Sequence, residues 1–255
     1  MLRLCTSLTY CCLFTLWVNF SVNAQDTPEY VIGVEDVNYY PLFHFSASGV
    51  KHPSFARDIL TAFFEDKQYR YRFVPLPIRR FDKWFIDHNI DFKFPDNQRW
   101  RADGGKTLNL TYSEPVLTLM AGTYVLKQNA NIKKSQINSL MTIRDFYPTL
   151  WLEPIAQGQV TLHEEASPVS IIRHLLMSNV QATNIDSNVI RHQLKEMNKQ
   201  GEIVLAENIF HEQYTFHLST INHPEIINEF NAFIKRERSL IERLKKKYEI
   251  KEEWD

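Results

Sequence analysis

From Tyr30 to Leu244, short apolar runs alternate with apolar residues at helical spacing, and the alternation comes in two series. Such alternation predicts α/β layers with mainly parallel strands, because two neighbouring parallel strands need a long crossover, usually a helix. The first series reads as a strand at 30–34, an aromatic loop Tyr39-Tyr40-Pro41-Leu42-Phe43, and a helix opened by Ser54. That helix places Phe55, Ile59, Leu60, Phe63 and Phe64 on one face. A strand at 69–74, a helix at 78–87 and a strand at 90–94 follow, then a polar loop to Lys106 and an extended stretch at 112–127. The second series reads as a short helix at 140–146 and a strand at 150–155. Next is a helix capped by Ser167-Pro168 that buries Val169, Ile172, Leu175 and Leu176. A strand at 180–183, a helix at 186–197 and a strand at 203–206 complete it. Residues 214–219 are extended again. Two helices then carry Ile226, Ile227, Phe230, Phe233 and Ile234, and Leu240, Ile241 and Leu244.

The first 24 residues read as a cleavable export signal. Arg3 precedes an uncharged stretch at 4–20, and Val22 and Ala24 stand at −3 and −1 of a cleavage point before Gln25. The alternative is an uncleaved anchor, for which that stretch lies at the short edge of the spanning range. All three cysteines, Cys5, Cys11 and Cys12, fall in this segment. The exported chain then has no thiol for catalysis, metal binding or disulfides, and its core must suffice alone. The expected location is a bacterial periplasm. With 29 Lys+Arg against 30 Asp+Glu, the net charge is −1, and removing residues 1–24 makes it −2. That excludes holding nucleic acid by bulk charge. Seven glycines in 255 residues form no phosphate loop.

Catalytic and metal motifs are missing from the sequence. There is no HExxH, and His163-Glu164-Glu165 and His211-Glu212 lack ligand spacing with a partner. The nucleophile elbow GxSxG does not occur. The run Lys245-Lys246-Lys247 reads as a solvated helix face, its cations suited to a helix C-terminus. The informative stretch is 91–113, DFKFPDNQRWRADGGKTLNLTYS. A strand ends at Phe94, and a loop then offers Asp96, Asn97, Arg99, Trp100, Arg101 and Lys106. Open α/β sheets bind ligands at such strand ends. An aromatic plate beside cations and amides suits a small zwitterion or organic anion. The same loop also reads as packed surface anchored by Trp100.

In order, the segments VIGVEDVNYYPLFHF, FARDILTAFF, YRFVPLPIRRFDKWF, NIDFKF, TYSEPVLTLMAGTYVLK, SLMTIRDF, IIRHLLMSNVQATNID and LIERLKKKYEI cover nearly all of 29–250. This order resembles the bacterial extracellular solute-binding proteins of family 3, the amino-acid-binding type. The resemblance implies a periplasmic-binding-protein type II fold, with two α/β lobes joined by two extended hinge crossovers. Lobe 1 would comprise 25–116 and 214–255, and lobe 2 117–213. A ligand would sit in the cleft, and the lobes would close on it.

Family members hold the ligand amino group with an Asp just after a lobe-2 strand, and Asp186 matches that place. They hold the carboxylate with an Arg seven residues before the crossover Ser. Here that position is Lys106, with Arg101 five residues earlier, while Tyr112 and Ser113 stand at the crossover. Asp96, Asn97 and Trp100 would replace part of the usual contacts, and Tyr39, Tyr40 and Phe45 would form an aromatic wall. Arg80 would either face the cleft or pair with Asp82. Asp186 has a second reading, as the cap of the helix that begins there. The implied function is non-enzymatic capture of a small polar solute, an amino acid or derivative, for an inner-membrane ABC permease or a sensor. A monomer without cofactor is expected. The alternatives are a dehydratase-like enzyme using Asp96 and Asp186, and an orphan sensory module.

Overall fold

The computed structural model describes residues 28–87, 89–101 and 106–252, without the side chains of residues 80–82. The expected export signal and the three cysteines lie outside the described residues. In chain order the first elements are β1 (Glu29–Glu35), β2 (Asn38–Tyr39), β3 (Phe43–His44), α1 (Phe55–Asp66), β4 (Arg70–Leu76), α2 (Trp84–Asp87), β5 (Phe92–Asp96), β6 (Thr111–Tyr112) and β7 (Leu117–Ala121). Then come β8 (Tyr124–Leu126), β9 (Ser139–Ile143), α3 (Leu152–Ala156), β10 (Thr161–Glu165), α4 (Pro168–Leu176), β11 (Ala182–Thr183), α5 (Ser187–Glu196) and β12 (Ile203–Leu205). The chain returns through β13 (Glu212–Thr220) and ends in α6 (Pro224–Arg236) and α7 (Arg238–Lys247).

Two sheets result. The first runs β4-β1-β5-β13-β6, with β7 also paired to β13, and the second runs β10-β9-β11-β8-β12. The chain passes between them twice, from β7 to β8 and from β12 to β13. Parallel pairing is confined to β1 with β4 and β5, and to β9 with β10 and β11. The strands that carry the chain across, β8 and β13, pair antiparallel with their neighbours. The expectation of mainly parallel strands therefore holds only for the centre of each lobe.

Helix α1 shows why the pattern folds as it does. Ser54 sits in extended backbone and its side chain accepts from the Arg57 N–H, which satisfies one of the first-turn donors. Phe55, Ile59, Leu60, Phe63 and Phe64 are all fully buried. Each such side chain contributes roughly 1.5–3 kcal/mol when removed from water. Strand β5 holds Pro95, which has no N–H for a ladder, and the register with β13 shifts between its pairs Asp96–His217 and Lys93–Ser219.

Two expectations are reversed. Residues 140–146, read as a helix, contain β9, and residues 150–155, read as a strand, form a turn of 3₁₀ helix followed by α3. Leu140, Met141, Thr142 and Ile143 are all buried between two neighbouring strands, so this run shows neither period. Pro154 lies in the first turn of α3, where a missing N–H costs no hydrogen bond. In α4 the buried face is Pro168, Ile171, Ile172 and Leu175, while Val169 and Leu176 are only partly covered. The expected helix at 78–87 begins as 3₁₀ over Ile78–Lys83 before α2.

Candidate functional site

A cavity of about 470 Å³ opens between the two sheets. Its wall takes Glu35, Tyr39, Phe43, Ile78, Arg79, Asn97, Arg99 and Trp100 from the first lobe, and Asp145, Phe146, Tyr147, Thr149, Asn184 and Asp186 from the second. Met120, Ala121, Tyr214 and Phe216 come from the crossover strands β7 and β13. The two sheets thus present the ends of their central strands to one space, the position in which open α/β sheets place ligands.

Asp186 is the carboxylate at the centre of this arrangement. It is 3 % exposed and N-caps α5, with Oδ1 accepting from the Asn188 N–H at 2.7 Å and from Asn188 Nδ2 at 2.9 Å. Its Oδ2 accepts from the Tyr214 hydroxyl at 2.8 Å, and its own N–H donates to the Tyr39 hydroxyl at 2.7 Å. The cap reading of this residue holds, and the cap position is also part of the cavity wall. Burial pushes the Asp186 carboxyl above its ordinary range, and the bonds from Asn188 and Tyr214, with the Arg191 charge, pull it back. Burial and the same carboxylate hold Tyr39 and Tyr214 well above the usual phenol range, so both hydroxyls stay protonated, Tyr214 donating to Asp186 and Tyr39 accepting from its N–H.

The first lobe brings a different cluster. Lys93 and Asp96 on β5 are both fully buried. Asp96 Oδ1 accepts from Arg101 Nη1 at 2.6 Å and from the Asn97 N–H at 2.8 Å, and lies 3.5 Å from Lys93 Nζ. Its Oδ2 accepts from the Ser219 hydroxyl. Arg101 Nη1 also donates to the Tyr112 hydroxyl at 3.1 Å. This network stands behind the cavity wall, and Asp96, Arg101 and Tyr112 do not line the cavity. Glu35, the last residue of β1, does line it and is 4 % exposed. Burial raises the Glu35 carboxyl to about 7, against the Lys93 charge, which lowers it. Burial lowers Lys93 to about 8, with Asp96 and Glu35 opposing.

Of the other expected ligand residues, Tyr39, Asn97 and Trp100 reach the cavity. Asn97 caps the turn that carries Arg99 and ties it to β13, its Nδ2 donating to the Thr215 carbonyl at 2.7 Å. Ser113 is fixed to β13 instead: its Oγ accepts from the Leu218 N–H at 2.9 Å and donates to the Glu114 carbonyl. Lys106 is exposed and away from the cavity. Tyr40 points to a second groove, its ring 4.5 Å from the His192 ring. Phe45 is buried against Phe73, with the Arg57 guanidinium over it, so the aromatic wall is Tyr39 and Phe43 with Phe146, Tyr214 and Phe216. The Arg80 side chain lies outside the described residues.

The lobes touch at the mouth and at the back. At the mouth, Arg79 Nε lies 3.1 Å from Asp145 Oδ1. At the back, the Asn188 side chain donates to the Lys251 carbonyl at 3.1 Å and accepts from the Lys251 N–H at 2.7 Å. Lys195 Nζ meets both carboxylate oxygens of Glu249 at 2.7 and 2.8 Å. Among the described residues no group of three His, Cys, Asp or Glu is placed to hold a metal ion, and no helix is long and apolar enough to cross a membrane.

Comparison with protein-family profiles and with curated sequences returns no match. Comparison with solved structures does. The chain superposes on an ancestral arginine-binding protein bound to arginine with a TM-score of 0.67 and 14 % identity, over 86 % of this chain and 97 % of that one. It superposes on a histidine kinase sensor domain with similarity to periplasmic binding proteins with a TM-score of 0.67 and 12 % identity, over 86 % and 95 %. A periplasmic His/Glu/Gln/Arg/opine family-binding protein from Silicibacter pomeroyi in complex with lysine gives 0.65 and 15 %, over 86 % and 96 %. The chain therefore has the two-lobed type II fold of periplasmic binding proteins, with two α/β lobes joined by extended crossovers.

Proposed function

We propose that the protein is a periplasmic substrate-binding protein that captures a small polar solute, an amino acid or derivative, between its lobes and passes it to an ABC permease. The observation that carries this reading is the cavity of about 470 Å³ whose wall belongs to both lobes and both crossovers, with Asp186 buried in it. A ligand filling such a space touches both lobes at once. It binds the closed arrangement better than the open one, and that difference drives closure. A sensory role draws support from the likeness to the kinase sensor domain. Both roles share the same first step, capture in the cleft. Binding without turnover is supported by the position of Asp96, which is engaged by Lys93 and Arg101 behind the wall and is not offered to a solute with Asp186.

A thermal-shift screen of amino acids, amines, carboxylates and short peptides tests the reading. A solute at about 100 times its Kd adds roughly 2.7 kcal/mol, which raises Tm by roughly 5–10 °C in a chain of this size. A selective shift, contraction of the particle by small-angle scattering, and recovery of the solute unchanged are the expected results. A solute that is recovered chemically altered would instead make the protein an enzyme.

A further inference from the structure

The charges around the cavity say what kind of solute it is built for. Two cations line it among the described side chains, and both are held by acids: Arg79 by Asp145, and Arg99 by Glu212. The two positions expected to receive a ligand carboxylate are elsewhere. Arg101 is buried on Asp96, and Lys106 is exposed away from the cavity. Two further acids line the space, Glu35 and Asp186. Behind Glu35, the buried set of Lys93, Arg101 and Asp96 carries one net positive charge, which matches Glu35 when ionised. Asp186 has one cation near it, Arg191, and none among its hydrogen-bond donors. Its bonds come from neutral donors, Asn188 and Tyr214, and the nearby Arg191 guanidinium is turned to Asn188 Oδ1 and lines the other groove.

We infer that the solute is an organic cation without a carboxylate, an amine or guanidine whose head pairs with Asp186 and whose body packs among Tyr39, Phe43, Phe146, Tyr214 and Phe216. An amino acid would bring its own carboxylate into this space and leave it desolvated beside Glu35 and Asp186, with both lining guanidiniums already engaged. A bare ammonium or guanidinium meets a buried acid and aromatic faces, the two partners that favour a desolvated cation. The inference rests on the binding-protein reading and narrows it to decarboxylated amino-acid derivatives and their chemical equivalents.

The test uses pairs that differ by one carboxylate: tyramine and tyrosine, histamine and histidine, agmatine and arginine, cadaverine and lysine. Calorimetry at pH 7.5 is expected to find an amine that binds at least tenfold tighter than its amino acid. Asp186→Asn, which keeps a capping oxygen, is expected to weaken that amine by more than tenfold with an unchanged circular dichroism spectrum. Should that variant fail to fold, the pair ratio on the unaltered protein decides alone. An amino acid that binds as tightly as its amine, or tighter, overturns the inference and leaves the binding-protein reading standing. Silence from all four pairs also overturns it, and the wider screen of carboxylates and peptides then judges the binding-protein reading separately.

Discussion

Asp96 and Asp186 stand at equivalent places in the two lobes, each where the chain leaves a central strand, and each is buried. Their surroundings differ. Asp96 is enclosed by Lys93, Arg101, Ser219 and the Asn97 N–H, while Asp186 receives neutral donors and faces the cavity. A buried carboxylate that is matched by cations serves the fold, because removing it strands those cations. A buried carboxylate held only by neutral donors keeps charge available for a ligand, and the fold bears its desolvation.

The sharpest way to separate the two is to neutralise each. Asp96→Asn leaves Lys93 and Arg101 buried without their acid, and denaturant unfolding is expected to show a loss of about 3–5 kcal/mol. Asp186→Asn keeps a cap of equal quality, so stability is expected to stay within about 0.5 kcal/mol or rise, while solute affinity falls more than tenfold. Equal destabilisation by the two would erase the distinction.

Glu35 sits between the two cases and is read by pH. Its carboxyl titrates near 7 in the folded protein against an ordinary 4.5. Between those values the unfolded chain has released a proton that the folded chain keeps, so this group makes stability fall as pH rises from about 4.5 to about 7. The full effect is on the order of 3 kcal/mol. Lys93, lowered from 10.5 to about 8, acts in the opposite sense: stability rises with pH between those values. Unfolding measured from pH 5 to pH 10 is expected to show a minimum near pH 7–8. Glu35→Gln is expected to remove the acid-side slope.

Smaller effects follow at the edges of the Asp186 site. Tyr214→Phe deletes one donor to Asp186 and is expected to cost about 1 kcal/mol, with a further rise in the pH at which solute binding is lost in acid. Arg79→Ala breaks the pair with Asp145 at the mouth. Arg79 is 76 % exposed, so the loss is expected to be under about 1 kcal/mol, visible as a shift in particle size by scattering rather than in Tm.

Much of this fold is legible in the sequence because long amphipathic helices announce themselves. The faces of α1 and α6 read directly from their spacing, and the observed buried residues are the expected ones. The same reasoning failed at 140–155, where five-residue elements are too short to show a period. In the cleft, Asp186 and Tyr39 were legible through the resemblance and the aromatic loop. Glu35 was not singled out, since an acid ending an apolar strand looks like a solvent-facing residue. Its signal was position: the C-terminal end of β1, directly before the aromatic loop. Asp96 and Arg101 carried the right chemistry for a ligand, and only the fold shows that they satisfy each other.

The amide of Asn188 touches the Asp186 carboxylate on one side and the Lys251 backbone on the other. The lobes are therefore joined by two peptide crossings and by several side-chain contacts, among them Arg79 with Asp145, Tyr39 with the Asp186 N–H, Lys195 with Glu249, and Asn188 with Lys251. Because Asn188 serves both the acid in the cleft and the Lys251 backbone, the arrival of a charged solute bears on the grip of the tail that follows α7.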